Sequence, residues 1–317
     1  MKTFLDDLKK ELKKRHFSKE DIEEILADHA EMIETAKNEG LSEDELASKF
    51  GDPAQLADDL LATKPIEVHK GGVQVEGYQL INTFPVLDLT FDVNVQLVNE
   101  DLKYVIHDLD QIEVHCKNVN NMDDYTVSFD GNEFLLKRES KVGLFGTRNS
   151  SQKFFVKVPK NVQCKRFSIK LVSGDAKVEG IQTDMLEVHS TSGDAKISNF
   201  TAKEAKFHTV SGDLECTQGS LESLNLSMVS GDCKLHSTVI SGPLDCNTVS
   251  GDLKAEQSEA GDFTFKTVSG DCKGEEFYPK TVSFRSVSGD VKIKNSDKSR
   301  EIQVLKSKAL SGKVKIG

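Results

Sequence analysis

Residues 265–293 read FKTVSGDCKGEEFYPKTVSFRSVSGDVKI and carry one tetrapeptide twice, as Val268-Ser269-Gly270-Asp271 and as Val287-Ser288-Gly289-Asp290. Working outward, Ser-Gly-Asp recurs seven times, beginning at Ser173, Ser192, Ser211, Ser230, Ser250, Ser269 and Ser288. Ser311-Gly312-Lys313 follows after a longer interval. A fixed period of about 19 residues marks a repeat architecture.

The flanks of the tripeptide alternate with period two. Six positions before the serine stand Phe167, Leu186, Ala205, Leu224, Leu244, Phe263 and Val282; four before it stand Ile169, Val188, Phe207, Leu226, Cys246, Phe265 and Phe284. Three after it the column is Ala176, Ala195, Leu214, Cys233, Leu253, Cys272 and Val291. Alternate strand residues share a face, so these columns point inward, as does the column beginning Val178, Ile197 and Cys216. Lys177, Lys196, Glu215, Lys234, Lys254, Lys273 and Lys292 lie between them and face water. Each repeat reads as strand, tight turn, strand and polar return. No repeat can bury its apolar face alone, so repeats must stack. The chain is predicted to be mainly β, a short-coil β-solenoid of about 19-residue repeats. Coils about 4.8 Å apart give eight of them a length of about 38 Å.

Val93–Val98, Asn99-Glu100-Asp101 and Leu102-Lys103-Tyr104 form a degenerate earlier coil. The solenoid is expected to start near residue 86, with 111–160 as an elaborated insertion. Strands are expected over 111–116, 125–129, 133–137 and 153–158, with Asp130-Gly131 as a hairpin signal.

Residues 1–63 have a helical period. Phe4, Leu5, Leu8 and Leu12 line one face; Ile22, Ile25, Leu26, His29 and Ile33 line a second. Ser18 and Asp52 read as N-caps, Gly40 as a C-cap, Ser42 with Glu45 as a capping box, and Pro53 as a first helical residue. The division expected is 1–64 helical bundle, 65–160 irregular β lead-in with elaborated first coils, and 161–317 regular Ser-Gly-Asp solenoid.

Two resemblances attach to these residues. Asp21–Leu26, Asp28-His29, Gly40-Leu41-Ser42 with Glu45, and Phe50-Gly51-Asp52-Pro53 resemble a HAAS-type bacterial helical domain. Residues 66–317, through the recurring Val-Ser-Gly-Asp, resemble the bacterial "putative adhesin" family of unknown function. The first resemblance implies association with PadR-type regulators and with membrane spans, and so a place in envelope-stress or regulatory signalling. The second implies a surface adhesin.

Composition narrows the chemistry. The net charge of -11 disfavours nucleic acid. No apolar run reaches the roughly 18 residues of a membrane span, and MKTFLDDLKKELKKR has no secretory apolar core. The expected location is therefore cytoplasmic, with the extracellular surface as the alternative. Six cysteines without a CxxC pair read as core thiols. No GxSxG, HExxH, P-loop or dinucleotide motif is present, so no enzyme and no cofactor are expected.

The stacked carboxylates Asp175, Asp194, Asp213, Asp232, Asp252, Asp271 and Asp290 could bind calcium. The favoured reading is turn chemistry, with glycine at positive φ and the Asp side chain accepting a backbone N–H. His189 and His208 share an outward column in adjacent coils and could share a metal, although no third ligand stands in that column. Leu144-Phe145 at a loop tip is a candidate partner contact. The function expected is a non-catalytic scaffold whose acidic helical domain docks a protein partner. The alternative is an adhesin or glycan-binding module, and a carbohydrate-active enzyme ranks last.

Overall fold

The computed structural model describes residues 2–14, 19–38, 50–57, 77–119, 122–139 and 152–317. The chain divides into two compact units, Met1–Glu67 and Val68–Gly317. In the first, helix α1 spans Lys2–Lys14 and α2 spans Lys19–Asn38. Leu8, Leu12, Ile22 and Ala57 form a buried cluster, with Phe4, Ile25, Leu26 and Leu56 packed against it. A helical turn covers 53–57. Asp52 caps it, its Oδ1 accepting the Ala54 amide at 3.0 Å, which satisfies one of the donors a helix start leaves free. His29 takes a packing position, its Nδ1 2.8 Å from the Ile25 carbonyl. Ser18, Gly40, Ser42, Glu45 and the linker at 63–65 lie outside the described residues.

The described part of the second unit is built of strands, with one short 3-10 helix at Met122–Asp124. The lead-in contains β1 (Gln79–Pro85), β2 (Asp92–Gln96), β3 (Asp101–His107), β4 (Gln111–Lys117), β5 (Tyr125–Phe129), β6 (Glu133–Arg138) and β7 (Lys153–Pro159). β8 (Cys164–Leu171) and the long strands β9 (Ala176–Ser190), β10 (Ala195–Thr209) and β11 (Leu214–Met228) begin the regular stack. One coil is split into β12 (Cys233–His236), β13 (Val239–Ile240) and β14 (Leu244–Thr248); then come β15 (Leu253–Thr267), β16 (Cys272–Ser286), β17 (Val291–Lys294), β18 (Gln303–Ala309) and β19 (Val314–Ile316). The regular coils pair in parallel and in register, Ala195 opposite Ala176 and Leu214, Phe207 opposite Val188 and Leu226. The inward columns form one continuous core, in which Phe263, Phe265 and Leu224 are each at most 1% exposed.

Two local expectations are corrected. The return between strands is a third inward-facing side. Ile181, Phe200, Leu221, Ile240, Ala260 and Phe277 are buried there. The chain bends into that side at Gly180, Asn199, Gln218, Ser237, Gln257 and Glu276, which all have positive φ. The left-handed residue therefore sits at this corner and, except at Gly180, is a polar non-glycine. The turn glycines of Ser-Gly-Asp do not have positive φ. They are glycine because the coils touch backbone to backbone. A Cβ on Gly231 would lie 2.0 Å from the Gly212 carbonyl oxygen, and one on Gly193 would lie 1.8 Å from that of Gly174.

The lead-in reverses spatial order. β2 and β3 stack on β8 and β9, as the degenerate coil requires, with Leu102 opposite Ala176. On their other side lie β6 and β7, in parallel, so the insertion supplies an outer coil. Antiparallel β5 and β4 then close its edge, and β1 pairs with β4. This removes an open parallel edge. Glu100 occupies the glycine position of its coil and is fully buried. Its carboxylate accepts the Val98 amide at 2.8 Å and the Tyr125 hydroxyl at 2.8 Å, and pairs with Arg138. The sequence between β6 and β7 has no Ser-Gly-Asp.

A second buried carboxylate lies on β4. Glu113 accepts from Gln111 Nε2 at 2.9 Å and Lys157 Nζ at 3.1 Å, and lies 3.0 Å from His115 Nε2. Burial pushes its carboxyl upward, but the hydrogen bonds from His115, Gln111 and Lys157 outweigh burial and hold it at about 2. A depressed carboxyl contributes stability above its unfolded value of 4.5, and that contribution is lost as pH falls toward about 2. Acid titration of the melting temperature should therefore show a loss between those limits, and Glu113→Gln should flatten it. A second test addresses the turn: Gly231→Ala should cost at least about 1–3 kcal/mol by overpacking, measured by urea denaturation. No loss would mean that the coils need not approach so closely.

Candidate interaction surface

The Ser-Gly-Asp corners superpose along one edge, and those from Ser173 to Ser269 are each bonded to the preceding coil in three ways, Ser288 lacking the hydroxyl bond. The serine amide and hydroxyl both donate to the carbonyl of the residue before the tripeptide in the preceding coil. Ser230 gives Val210 O distances of 2.9 Å from nitrogen and 3.1 Å from Oγ. The Asp amide donates to the carboxylate of the Asp one coil back. Asp213 donates to Asp194 at 2.9 Å, Asp232 to Asp213 at 2.9 Å, Asp252 to Asp232 at 2.8 Å and Asp271 to Asp252 at 2.8 Å. Asp194 donates to Asp175, Asp290 to Asp271, and the Lys313 amide to Asp290. The acceptor relation therefore runs between coils, whereas turn chemistry alone would place it inside one turn. From inside, a buried hydroxyl two positions before the serine clamps the turn: Thr248 Oγ1 accepts the Gly251 amide at 2.9 Å, and Thr267 Oγ1 accepts the Gly270 amide at 2.7 Å.

This bonding fixes what the Asp ladder can do. One oxygen of each carboxylate is committed to an amide. The other oxygens form a single file, so an ion on this edge would meet two neighbours, short of the six to eight oxygens calcium takes. Lys273 Nζ reaches Asp252 at 3.3 Å. Among the described residues, no group of three or more His, Cys, Asp or Glu side chains could hold a metal ion. His189 and His208 do stand together, with ring centroids 5.9 Å apart. Burial holds the His189 imidazole below its usual range, and the neighbouring His208 lowers it further. All six cysteines are buried and unpaired. Burial pushes the Cys116 thiol to about 11 and those of Cys164 and Cys246 to about 12, so the thiolate needed for nucleophilic or metal chemistry is suppressed. Leu144 and Phe145 lie outside the described residues.

One feature escaped the sequence reading. The residue before six of the seven tripeptides is an exposed valine, Thr191 being the exception: Val172, Val210, Val229, Val249, Val268 and Val287 are 39–48% exposed, and Val98 and Leu310 extend the file. The signal was present as the first letter of Val-Ser-Gly-Asp, but its column falls outward, where apolar residues are not sought. The result is an apolar stripe on the solenoid's outer face, one side chain wide. Contiguous exposed apolar surface marks contact sites more often than scattered residues do.

The Asp ladder gives a stability test. Asp232→Asn keeps a carbonyl acceptor for the Asp252 amide and should change stability by less than about 0.5 kcal/mol. Asp232→Ala removes the acceptor and should cost about 1–2 kcal/mol. Both are read by denaturant midpoint, with and without calcium. A calcium-dependent gain abolished by the Asn change would assign the ladder to ion binding.

Among curated proteins, none matches the chain. Solved structures similar to it include a "putative lipid binding protein" from Parabacteroides distasonis, at 14% identity and TM-score 0.47, covering 77% of this chain and 98% of that one. A "putative adhesin" from Bacteroides fragilis has 17% identity and TM-score 0.46, covering 78% and 100%. A "putative cell adhesion protein" from Clostridium sporogenes has 12% identity and TM-score 0.24, covering 75% and 96%. The HAAS family matches residues 3–59. Toastrack DUF4097 matches residues 87–316, the whole run of stacked coils, and the chain belongs to that family.

Proposed function

We propose that the chain is a non-catalytic scaffold. The coils form a stiff presenting surface, and the acidic helical unit docks a protein partner with a basic face. The observation that carries this reading is repetition. Outward columns repeat from coil to coil, and titratable groups are spread along them instead of converging in a cleft, as catalysis requires. Residues 1–63 hold nine Lys or Arg against 17 Asp or Glu, with Asp6, Asp7 and Asp28 exposed. A place in bacterial envelope-stress or regulatory signalling follows from the HAAS resemblance. No helix among the described residues is long and apolar enough to cross a membrane.

The test uses the whole chain as bait in a native lysate from about 0.05 to 0.5 M salt, across which exposed charge pairs become screened. Bound protein should fall with salt and should be lost in the Asp6→Lys, Asp28→Lys double variant. If that variant retains every partner, while Val229→Asp with Val249→Asp loses them and the captured species are glycans, the adhesin reading replaces this one.

A further inference from the structure

The exposed valine file lies between two files of opposite charge. Two positions before each valine, on the same strand face, stand Lys170, His208, Lys266 and Arg285, with His189 in the rung of Thr191 and the neutral Ser227 and Asn247 completing the column. That column holds no acid, in a chain whose net charge is -11. Three positions after each valine, across the turn, stands the Asp ladder. Lys170, Lys266 and Arg285 are exposed and, among the described residues, form no ion pair. The Asp271 and Asp290 carboxylates accept amides of the stack and likewise meet no cation among the described residues.

The file has a period as well as a charge order. Coils repeat about every 4.8 Å, so the six steps from Val172 to Val287 cover about 29 Å. An α-helix turns about every 5.4 Å and would drift by about 0.6 Å at each rung. One face of an extended strand repeats about every 6.8 Å. A second stack of parallel strands has the same repeat, and meets valine with valine at every rung but that of Thr191.

Two copies can face each other across this edge about either of two symmetry axes. An axis perpendicular to the stack sets Asp file upon Asp file. An axis parallel to the stack exchanges left and right, so each Asp file faces the other copy's basic file. We propose that the valine file is a seam between two copies of this chain, lying side by side with their stacks parallel about this second axis. At equal height Asp175 then faces Lys170, Asp271 faces Lys266 and Asp290 faces Arg285, while Asp194 and Asp213 face His189 and His208. An anionic surface fits poorly, because the Asp ladder borders the valines. A neutral glycan would leave both charge files unpaired. The strip is about 14 Å wide, so each copy buries about 400 Å², half of what a standard interface takes per partner. The association is therefore weak. This inference does not rest on the scaffold reading.

The experiment is sedimentation velocity of the purified full chain from about 10 μM to about 1 mM, the range suited to an interface of this size. A monomer–dimer transition should fall within it. Val210→Asp with Val268→Asp sets carboxylates against their own counterparts and should weaken pairing at least about tenfold, with an unchanged melting temperature. Val239→Asp, at an exposed valine off the file, should leave pairing unchanged. Lys266→Glu with Arg285→Glu should weaken it at least about tenfold. Lys280→Glu with Lys294→Glu, the same charge change away from the seam, should alter it less than about threefold. Direction is read by disulfide capture, because the native thiols are all buried. Val172→Cys and Val287→Cys should each give covalent dimers on mild oxidation, since the bond needs Cα atoms within about 7 Å. A mixture of the two should give no crossed product. Crossed product, a chain that stays monomeric to about 1 mM, or pairing that survives Val210→Asp with Val268→Asp would overturn the proposal.

Discussion

The stack depends on one contact, the meeting of a turn glycine with the carbonyl oxygen of the glycine one coil back. Where a Cβ would stand, at 2.0 Å in Gly231, Gly251 and Gly270, there is already an oxygen. That approach brings successive turns close enough for the serine to bond the preceding carbonyl twice and for the Asp amide to reach the preceding carboxylate. Strand pairing then follows in register from corner to corner, and the inward columns superpose. Because a strand's two edges are both hydrogen-bonded only when coils continue on both sides, the repeat supplies its own neighbours.

The same constraint separates what was legible in the sequence from what was not. The period, the four inward columns around the tripeptide and the degenerate coil at Val93–Tyr104 could be read directly, because strand alternation is a local rule. The third side could not. Its inward column runs Ile181, Phe200, Gly219, Thr238, Ser258, Phe277, too mixed to show as apolar, and it follows a corner that breaks period two. The mixture has a packing reason: a Cβ on Gly219 would lie 2.5 Å from the Phe200 ring, so the small residue makes room for the large one below it. The turn glycine was misread for a related reason. A glycine beside Asp suggests a left-handed turn, whereas contact with the neighbouring coil leaves no local mark. Of the surface features, the Asp and Lys files were visible, but the valine stripe was overlooked because inward apolar columns had already accounted for the core.

The reversal of order in the lead-in also has a physical cause. A parallel stack leaves edge amides and carbonyls unpaired at each end. An antiparallel partner can close such an edge through a short connection, and β5 does so for β6 across Asp130–Asn132, where Gly131 at φ 93 permits the turn. The sequence marked those strands but not their place, since parallel pairing of β6 with β2 joins residues distant along the chain, Val93 with Phe134. Burial of Glu100 became tolerable only in this setting, with Arg138 and Tyr125 brought onto it by β5 and β6. An unpaired carboxylate there would be costly.

A solenoid of equal rungs offers every ligand the same chemistry at each coil, so distinct sites can arise only where the regularity breaks. Four breaks are visible. Glu100 replaces glycine in the first coil, and Thr191 interrupts the valine file beside the His189–His208 pair. One coil carries an extra residue, taken up at Ser241-Gly242-Pro243, where Gly242 donates to Glu222 O at 3.0 Å and its own carbonyl receives the Gly261 amide at 2.9 Å. The last is the terminal coil, where Lys313 stands in the Asp position. The first is consumed by buried ion pairing and the third by backbone bonds within the stack. The histidine pair offers two ligands where structural zinc takes four. At Lys313 the rung to Asp290 survives through the backbone amide while the side chain changes the sign of the charge. A change of side chain at that corner leaves the stack intact, because the bond that joins it to the coil before is donated by a backbone amide.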